Sequence, residues 1–305
     1  ALPSDTMPLD TTDFLDIDDV TPAELDGLID RAAALKAGGV DPQLRDQTLG
    51  MIFEKPSTRT RVSFETGMSR LGGHAMFLGP DDIQLGHGEP LRDTARVLGR
   101  YVDAVMARLF DHADAEVLAE YADCPVINGL TDEAHPCQTL ADLLTIRESV
   151  GSDATVAWVG DGNNVGQSFV VGAAMAGIDV AVATPADYGM DPAVFDRAAA
   201  FGVDIEPTTD PEHVVADADV VYTDVWISMG QEAERAEKLS AFDGFQVNAD
   251  LLARTDASVM HCLPAHRGEE ITDDVLESDR ALVWDQAENR MHAQNALLVE
   301  LLADE

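Results

Sequence analysis

The chain has 305 residues, 46% of them apolar, which is enough for a sizeable core and for roughly two domains. Fifty-seven Asp and Glu stand against 19 Lys and Arg, a formal charge of −38. With no basic field to meet phosphate backbones, most nucleic-acid binding is excluded, and docking on anionic membranes is disfavoured.

The first clear element is a helix. Thr21-Pro22-Ala23-Glu24 is a capping box with proline at the first helical position, and it predicts a helix over 22–36. Short apolar runs then predict strands at Thr48–Phe53, His74–Leu78, Ala104–Arg108 and 126–128. Helical patterns fall between them, near 58–71, 91–101 and 113–121. A longer helix over 136–150 follows, and the alternation resumes. Strands are expected at Thr155–Val159, Asp179–Ala183, 203–206, 219–223, Ser258–His261 and 281–284, before a last helix over 286–302.

Apolar strands separated by helices call for parallel sheets covered on both faces. The expected architecture is therefore α/β: two doubly wound domains with parallel sheets, joined by two interdomain helices. The first domain is expected over 1–148, with the C-terminal helix 286–305 packing back on it, and the second over 149–285. Ligands of such sheets sit beyond the carboxyl ends of the strands, so the residues just after each strand carry the functional argument.

After the first strand comes Glu54-Lys55-Pro56-Ser57-Thr58-Arg59-Thr60-Arg61. Ser57 is a good N-cap, and the next N–H groups of the helix point outward. A helix N-terminus with hydroxyls and arginine suits a phosphate. Three bases within seven positions stand out in so acidic a chain, and they would focus a local positive field for an incoming dianion. The F-E-K-P-S-T-R-T string resembles the carbamoyl-phosphate loop of the aspartate/ornithine carbamoyltransferase family. The resemblance implies that Ser57, Thr58, Arg59 and Thr60 hold the phosphate of carbamoyl phosphate.

Other strand ends extend the resemblance. Arg108 closes its strand, and His135-Pro136-Cys137-Gln138 opens the next long helix. Taken alone, an arginine there is a surface ion-pair partner and a histidine there a cap. As H-P-C-Q followed by T-L-A-D, the segment resembles the family's second motif. It then implies Arg108, His135 and Gln138 around the carbamoyl group. Gln84, in D-I-Q-L-G-H, falls where the family sends a loop residue into the neighbouring subunit's site. Arg290, near the start of the last helix, matches a family contact to carbamoyl phosphate.

Gly160-Asp161-Gly162-Asn163-Asn164-Val165-Gly166 invites a dinucleotide reading. Its third glycine comes one position late, and the next strand lacks an acidic residue at its tip. G-D-G-N-N instead resembles the family segment in which Asn164 contacts the amino-acid substrate. Asp224-Val225-Trp226-Ile227-Ser228-Met229-Gly230 resembles the loop of the family's ornithine-using members, which implies Asp224 at the amino group and Ser228 and Met229 along the rest of ornithine. An aspartate acceptor would need extra cations, and none cluster there. His261, Cys262 and His266 raise the question of zinc, but their spacing matches no structural zinc pattern. H-C-L-P resembles the family's fourth motif, which implies Cys262 beside the side-chain amine, the Cys262–Leu263 backbone at the carbamoyl group, and a cis Leu263–Pro264 bond.

The implied reaction is carbamoyl transfer from carbamoyl phosphate to the side-chain amine of L-ornithine, giving L-citrulline and phosphate. Arg108, His135 and Cys262 are its catalytic residues, with no cofactor and no metal. Carbamoyl phosphate is expected to bind first. The family forms trimers, so a homo-oligomer, a trimer or a multiple of trimers, is expected. Three other readings stay open: a carbamoyltransferase for aspartate or an acylated ornithine, an NAD-dependent oxidoreductase, and a non-catalytic subunit on the same fold.

The setting is also written in composition. Cys124, Cys137 and Cys262 form no disulfide framework, and no secretion signal is read near the start, so a reducing cytoplasm is expected. The longest apolar run, from Phe169 to Ile178, is too short to span a bilayer. A chain rich in apolar residues is not disordered by its acidity. Lysine occurs only at 36, 55 and 238, and a folded, acidic, lysine-poor chain reads as adapted to molar salt. There the Debye length is about 3 Å and self-repulsion is screened. The melting temperature is therefore expected to rise steeply with KCl, from about 0.05 M to above about 1 M; an unchanged melt by calorimetry would remove the idea.

Overall fold

The computed structural model describes residues 9–38, 43–80, 88–228, 233 and 235–302. The chain divides into two units, Ala1–Leu144 with Glu288–Glu305, and Thr145–Ala287. Both boundaries fall inside helices.

The first unit opens with helix α1 (Pro22–Gly38). Its capping box is formed: Thr21 Oγ1 accepts from the Glu24 N–H at 3.3 Å, and Glu24 Oε2 accepts from the Thr21 N–H at 2.6 Å. There follow β1 (Thr48–Phe53), α2 (Thr58–Arg70), β2 (His74–Leu78), α3 (Leu91–Leu98), β3 (Ala104–Arg108), α4 (His112–Tyr121), β4 (Val126–Leu130) and α5 (Pro136–Ser149). The strands are parallel, in the order β2-β1-β3-β4. Every residue of β3 is buried, as a strand covered on both faces requires. From β1 the chain winds one way to β2, and from β3 the other way to β4. The topological switch point therefore lies between the carboxyl ends of β1 and β3.

A bulge sits at that point. The β3–β4 register jumps between Ala107, opposite Asn128, and Arg108, opposite Leu130. The extra residue is Gly129 on β4, so the bulge lies opposite the end of β3, where Arg108 sits. Gly129 makes it sterically feasible, since a Cβ there would lie 2.3 Å from Met106 Sδ and 3.2 Å from the Ala107 carbonyl oxygen.

The second unit repeats the wiring. It comprises β5 (Thr155–Val159), α6 (Asn164–Met175), β6 (Asp179–Ala183), α7 (Pro192–Ala199), α8 (Pro211–Val215), β7 (Val220–Thr223), α9 (Arg235–Ala241), α10 (Ala249–Leu252), β8 (Ser258–His261) and α11 (Asp273–Leu276). Helix α12 (Val283–Leu302) starts here and ends in residues of the first unit. The parallel sheet has the order β6-β5-β7-β8, with its switch point between β5 and β7. Trp158, Tyr222 and Phe169 pack edge to face in its core, with centroids 4.9 and 5.1 Å apart. Among the described residues, no helix is long and apolar enough to cross a membrane.

Three expectations from sequence are corrected. Residues 203–206 form no strand; only Thr208 bridges to Ala183. Asp204 and Glu206 are exposed, so the segment has no continuous apolar face to bury. Residues 281–284 form no strand either. Ala281 makes a single bridge to Val259, and α12 begins at Val283 rather than at 286. A short apolar run cannot by itself separate a strand from the first turn of a helix. Arg290 consequently lies well inside α12 rather than at its opening. The helix expected to reach 101 stops at Leu98, where the Gly99 N–H caps the Ala95 carbonyl at 2.9 Å.

The turn after β5 shows why its glycines are there. Gly160 has φ +141°, and a Cβ on Gly162 would sit 2.4 Å from backbone atoms of Gly189 and Met190. A Cβ on Gly166 would meet the Trp158 ring at 2.6 Å. The glycines thus admit the chain's own atoms. Gly162→Ala is expected to cost about 1–3 kcal/mol of stability or more by overpacking, read by urea unfolding in high salt. Gly189→Ala, whose Cβ would lie 3.7 Å from Thr184 Oγ1, should be near neutral.

Candidate active site

At the first switch point, Ser57 caps α2 from an extended backbone, and its Oγ accepts from the Thr60 N–H at 3.3 Å. The first-turn N–H groups of Thr58 and Arg59 then have no intrahelical acceptor and point past the cap. Ser57 Oγ lies 3.1 Å from Thr60 Oγ1, which in turn accepts from Arg290 Nη2 at 3.4 Å. Arg290 is clamped on its other edges. Its Nη1 donates to Gln138 Oε1 at 2.7 Å and its Nε to Gln294 Oε1 at 3.1 Å. Gln138 donates to Asp142 at 2.8 Å, and Gln294 donates to Ser63 at 2.8 Å. Two i,i+4 pairs, one on α5 and one on α12, therefore fix the guanidinium against the cap of α2.

Arg108, His135, Gln138 and Arg290 are all buried. Burial, then the charges of Arg290 and Arg108, hold the His135 imidazole well below its ordinary pKa. The ring is neutral near pH 7 and can donate one hydrogen bond without carrying a third positive charge. Cys137, behind it, is an inert thiol whose pKa burial pushes up to about 12, with Arg290 opposing.

Two of the three bases that mark this loop in the sequence are engaged elsewhere. Lys55 is buried, pairs with Asp132 and lies 4.3 Å from the Phe110 ring centroid. Arg61 pairs with Glu65 at 3.0 Å and stacks 3.9 Å over Phe77. Among the described residues, no hydrogen bond or ion pair engages the half-buried Arg59 guanidinium. Arg108 and Arg290, far apart in sequence, both bring positive charge to His135.

At the second switch point, Asp224 follows β7 and is buried. Its Oδ2 accepts from Asn163 Nδ2 at 2.8 Å, and its Oδ1 from the Cys262 thiol at 3.1 Å. Asn163 also caps α6, accepting the Val165 and Gly166 N–H groups at 3.1 Å each. Asn164, the next residue, is the first of α6. His261 donates from Nε2 to Glu270 at 2.9 Å and accepts the Leu263 N–H on Nδ1 at 2.9 Å, partners that assign its tautomer. Leu263 has φ +60°, and the Leu263–Pro264 bond is cis. Below this loop, Lys238 is buried between Asp161 Oδ2 at 2.9 Å and the Trp226 carbonyl at 2.8 Å.

The structure thus links Ser57, Thr60, Gln138 and Arg290 in one network, places His135 within the fields of Arg108 and Arg290, and joins Asp224 to Cys262. Thr58 is exposed and Ser228 half-buried. Gln84 and Met229 lie outside the described residues. His261, Cys262 and His266 do not form one metal set. They divide between Asp224–His261–Cys262 and His266–Glu269–Glu270. Sequence reasoning missed Asn163, Asp142, Gln294 and Glu270. The N-cap position signals Asn163, and i,i+4 spacing signals Asp142 and Gln294; nothing distinguishes Glu270 among so many acids.

A doubly wound unit with hydroxyls, a helix N-terminus and guanidinium groups at its switch point is of the class suited to binding a phosphorylated small molecule. Comparison with known proteins narrows that class. Residues 12–148 match the carbamoyl-P binding domain of aspartate/ornithine carbamoyltransferase, and residues 152–301 match its Asp/Orn binding domain. The chain belongs to this family. It is 68% identical to an ornithine carbamoyltransferase of Haloquadratum walsbyi, over 96% of this chain and 99% of that protein. The solved ornithine carbamoyltransferase of Pyrococcus furiosus is 51% identical, with a TM-score of 0.91 over 96% of this chain and 97% of that one. The anabolic ornithine carbamoyltransferase of Campylobacter jejuni shares 39% identity and the same TM-score, 0.91, over 95% of this chain and 99% of that one.

The neutral His135 has a pH consequence. Its folded pKa is depressed, so the stability it confers is complete above the unfolded value of about 6.5 and is lost as pH falls below it. Each pH unit below that point should cost wild type about 1.4 kcal/mol relative to His135→Asn. Parallel urea titrations of the two proteins between about pH 7 and 5 read that difference, and a constant offset would contradict a neutral buried ring.

Proposed function

We propose that this enzyme transfers the carbamoyl group of carbamoyl phosphate to the side-chain amine of L-ornithine, giving L-citrulline and phosphate. The observation that carries the reading is the clamped Arg290, hydrogen-bonded to Gln138 and Thr60 at the Ser57-capped end of α2. In this reading the phosphate dianion lies on the N–H groups and hydroxyls of Ser57, Thr58 and Thr60, with Arg59 and Arg290 balancing its charge. Gln84 would complete that site from a neighbouring subunit. Arg108, His135 and Gln138 take the carbamoyl group, together with the Cys262–Leu263 backbone.

The nucleophile must be a neutral amine, although free alkylamines titrate near about 10.4. Asp224 takes the amino group of ornithine, while Asn164, Ser228 and Met229 hold the rest, and Cys262 lies beside the side-chain amine. The amine lone pair adds to the carbamoyl carbon, and negative charge builds on the carbonyl oxygen. Donors fixed before the reaction meet it: the Arg108 guanidinium and the His135 ring N–H. The C–O bond to phosphate then breaks, and the proton lost by the amine leaves with phosphate or solvent. Acyl transfer of this kind changes no oxidation state and needs no redox cofactor. Carbamoyl phosphate binds first, which shields a labile acyl phosphate once ornithine follows.

The donor domain in this reading is residues 1–148 with the C-terminal helix, and the acceptor domain is residues 149–285. A cytoplasmic homo-oligomer, a trimer or a multiple of trimers, accompanies the reading on the strength of the family resemblance.

Citrulline formation from carbamoyl phosphate and ornithine at high salt tests the function directly. Turnover only with aspartate or an acylated ornithine would overturn the acceptor. Arg108→Ala should lower kcat about a hundredfold or more, since one such donor supplies about 3 kcal/mol. Near-normal turnover at saturating substrates would remove Arg108 from the transition state.

A further inference from the structure

Beyond β8 the chain turns through His266-Arg267-Gly268-Glu269-Glu270, with Gly268 at φ +91°. One ligand atom from each of His266, Glu269 and Glu270 lies within 4.8 Å of the others, and His266 Nδ1 is 3.7 Å from Glu269 Oε2. His266 Nδ1 and the Oε2 atoms of Glu269 and Glu270 are buried atoms that lack a hydrogen-bond partner among the described residues. Glu270 itself is 0% exposed.

An unanswered buried carboxylate oxygen is costly, and native proteins answer such groups with water, a proton or an ion. A proton shared between His266 and Glu269 would satisfy those two and leave Glu270 Oε2 unmet. A cation satisfies all three. The opposite oxygens are already held as an outer shell would hold them. Glu270 Oε1 accepts from His261 Nε2 at 2.9 Å and from the His266 N–H at 2.6 Å, while Glu269 Oε1 pairs with Arg235. Ligands at about 2.0–2.1 Å from a tetrahedral ion lie about 3.4 Å apart, so modest side-chain rotation closes the set. The His266 side chain is 39% exposed, which leaves a path for a hydrated ion.

We propose that His266, Glu269 and Glu270 bind a divalent transition-metal ion of the zinc type, with a fourth position left to water. One imidazole and two carboxylates favour zinc, cobalt or nickel over magnesium or calcium. The neighbouring Asp224–His261–Cys262 group is no equal competitor, because both nitrogens of His261 and the thiol of Cys262 are already engaged. Glu270 joins the ion to His261, and His261 holds the Leu263 N–H. Occupancy therefore braces the turn that carries Cys262 and Leu263. The site stands whether or not the chain transfers carbamoyl groups.

The test uses the full-length protein, stripped with chelator and titrated with cobalt(II) in high salt, followed by its visible d–d absorption and by zinc competition. One equivalent should bind without a thiolate-to-cobalt charge-transfer band. His266→Ala and Glu269→Gln, both at partly exposed side chains, should each weaken binding by about tenfold or more while the far-ultraviolet circular dichroism is kept. Cys262→Ser should leave binding unchanged. Absence of stoichiometric binding, binding that survives both ligand substitutions, or binding that disappears in Cys262→Ser would each overturn the proposal.

Discussion

The structure depends on holding positive charge in one place within a strongly negative molecule. A dianionic donor approaching a chain of charge −38 meets repulsion everywhere except where cations are concentrated and kept from neighbouring carboxylates. Arg290 is held by two neutral amides and a hydroxyl, so its charge is positioned without being neutralised by them. Asp142, a carboxylate in that network, accepts from Gln138, whose oxygen in turn accepts from Arg290.

The same economy governs His135. Between Arg108 and Arg290, a protonated imidazole would be a third cation without solvent, and burial makes that state costlier still. A neutral ring costs little there and still offers a hydrogen bond. Fixed guanidinium charges beside a neutral, buried hydrogen-bond donor are the arrangement that preorganised electrostatic stabilisation requires.

Both units place their chemistry by one rule. Each sheet reverses its winding between its first and third strands, and each opens a crevice where the carboxyl ends of those strands diverge. In the first unit the β4 bulge, with Gly129 as its extra residue, lies beside Arg108 at this crevice. In the second, Asn163 caps α6 and donates to Asp224, tying the turn after β5 to the tip of β7.

Much of this was legible in the residues alone. Among the described residues, apolar runs located all eight strands; β3 is buried throughout, whereas β2 is only half-buried yet still apolar in sequence. The loops after β1, β5, β7 and β8 advertised themselves through unusual local strings. The segments 203–206 and 281–284 misled because a short apolar run is compatible with a strand, a lone bridge or a helix start, and only the neighbours decide. Sequence also counted Lys55 and Arg61 as anion-binding charge; tertiary contacts with Asp132, Phe110, Glu65 and Phe77 assigned them to packing and surface pairs. The chain by itself therefore determined the alternating elements, the capped helix ends and the residue types at the strand tips, all of which depend on near neighbours. That Arg290 meets Gln138 and Thr60, and that His135 stays neutral beside Arg108 and Arg290, were decided by the fold, because each depends on groups brought together across long stretches of sequence.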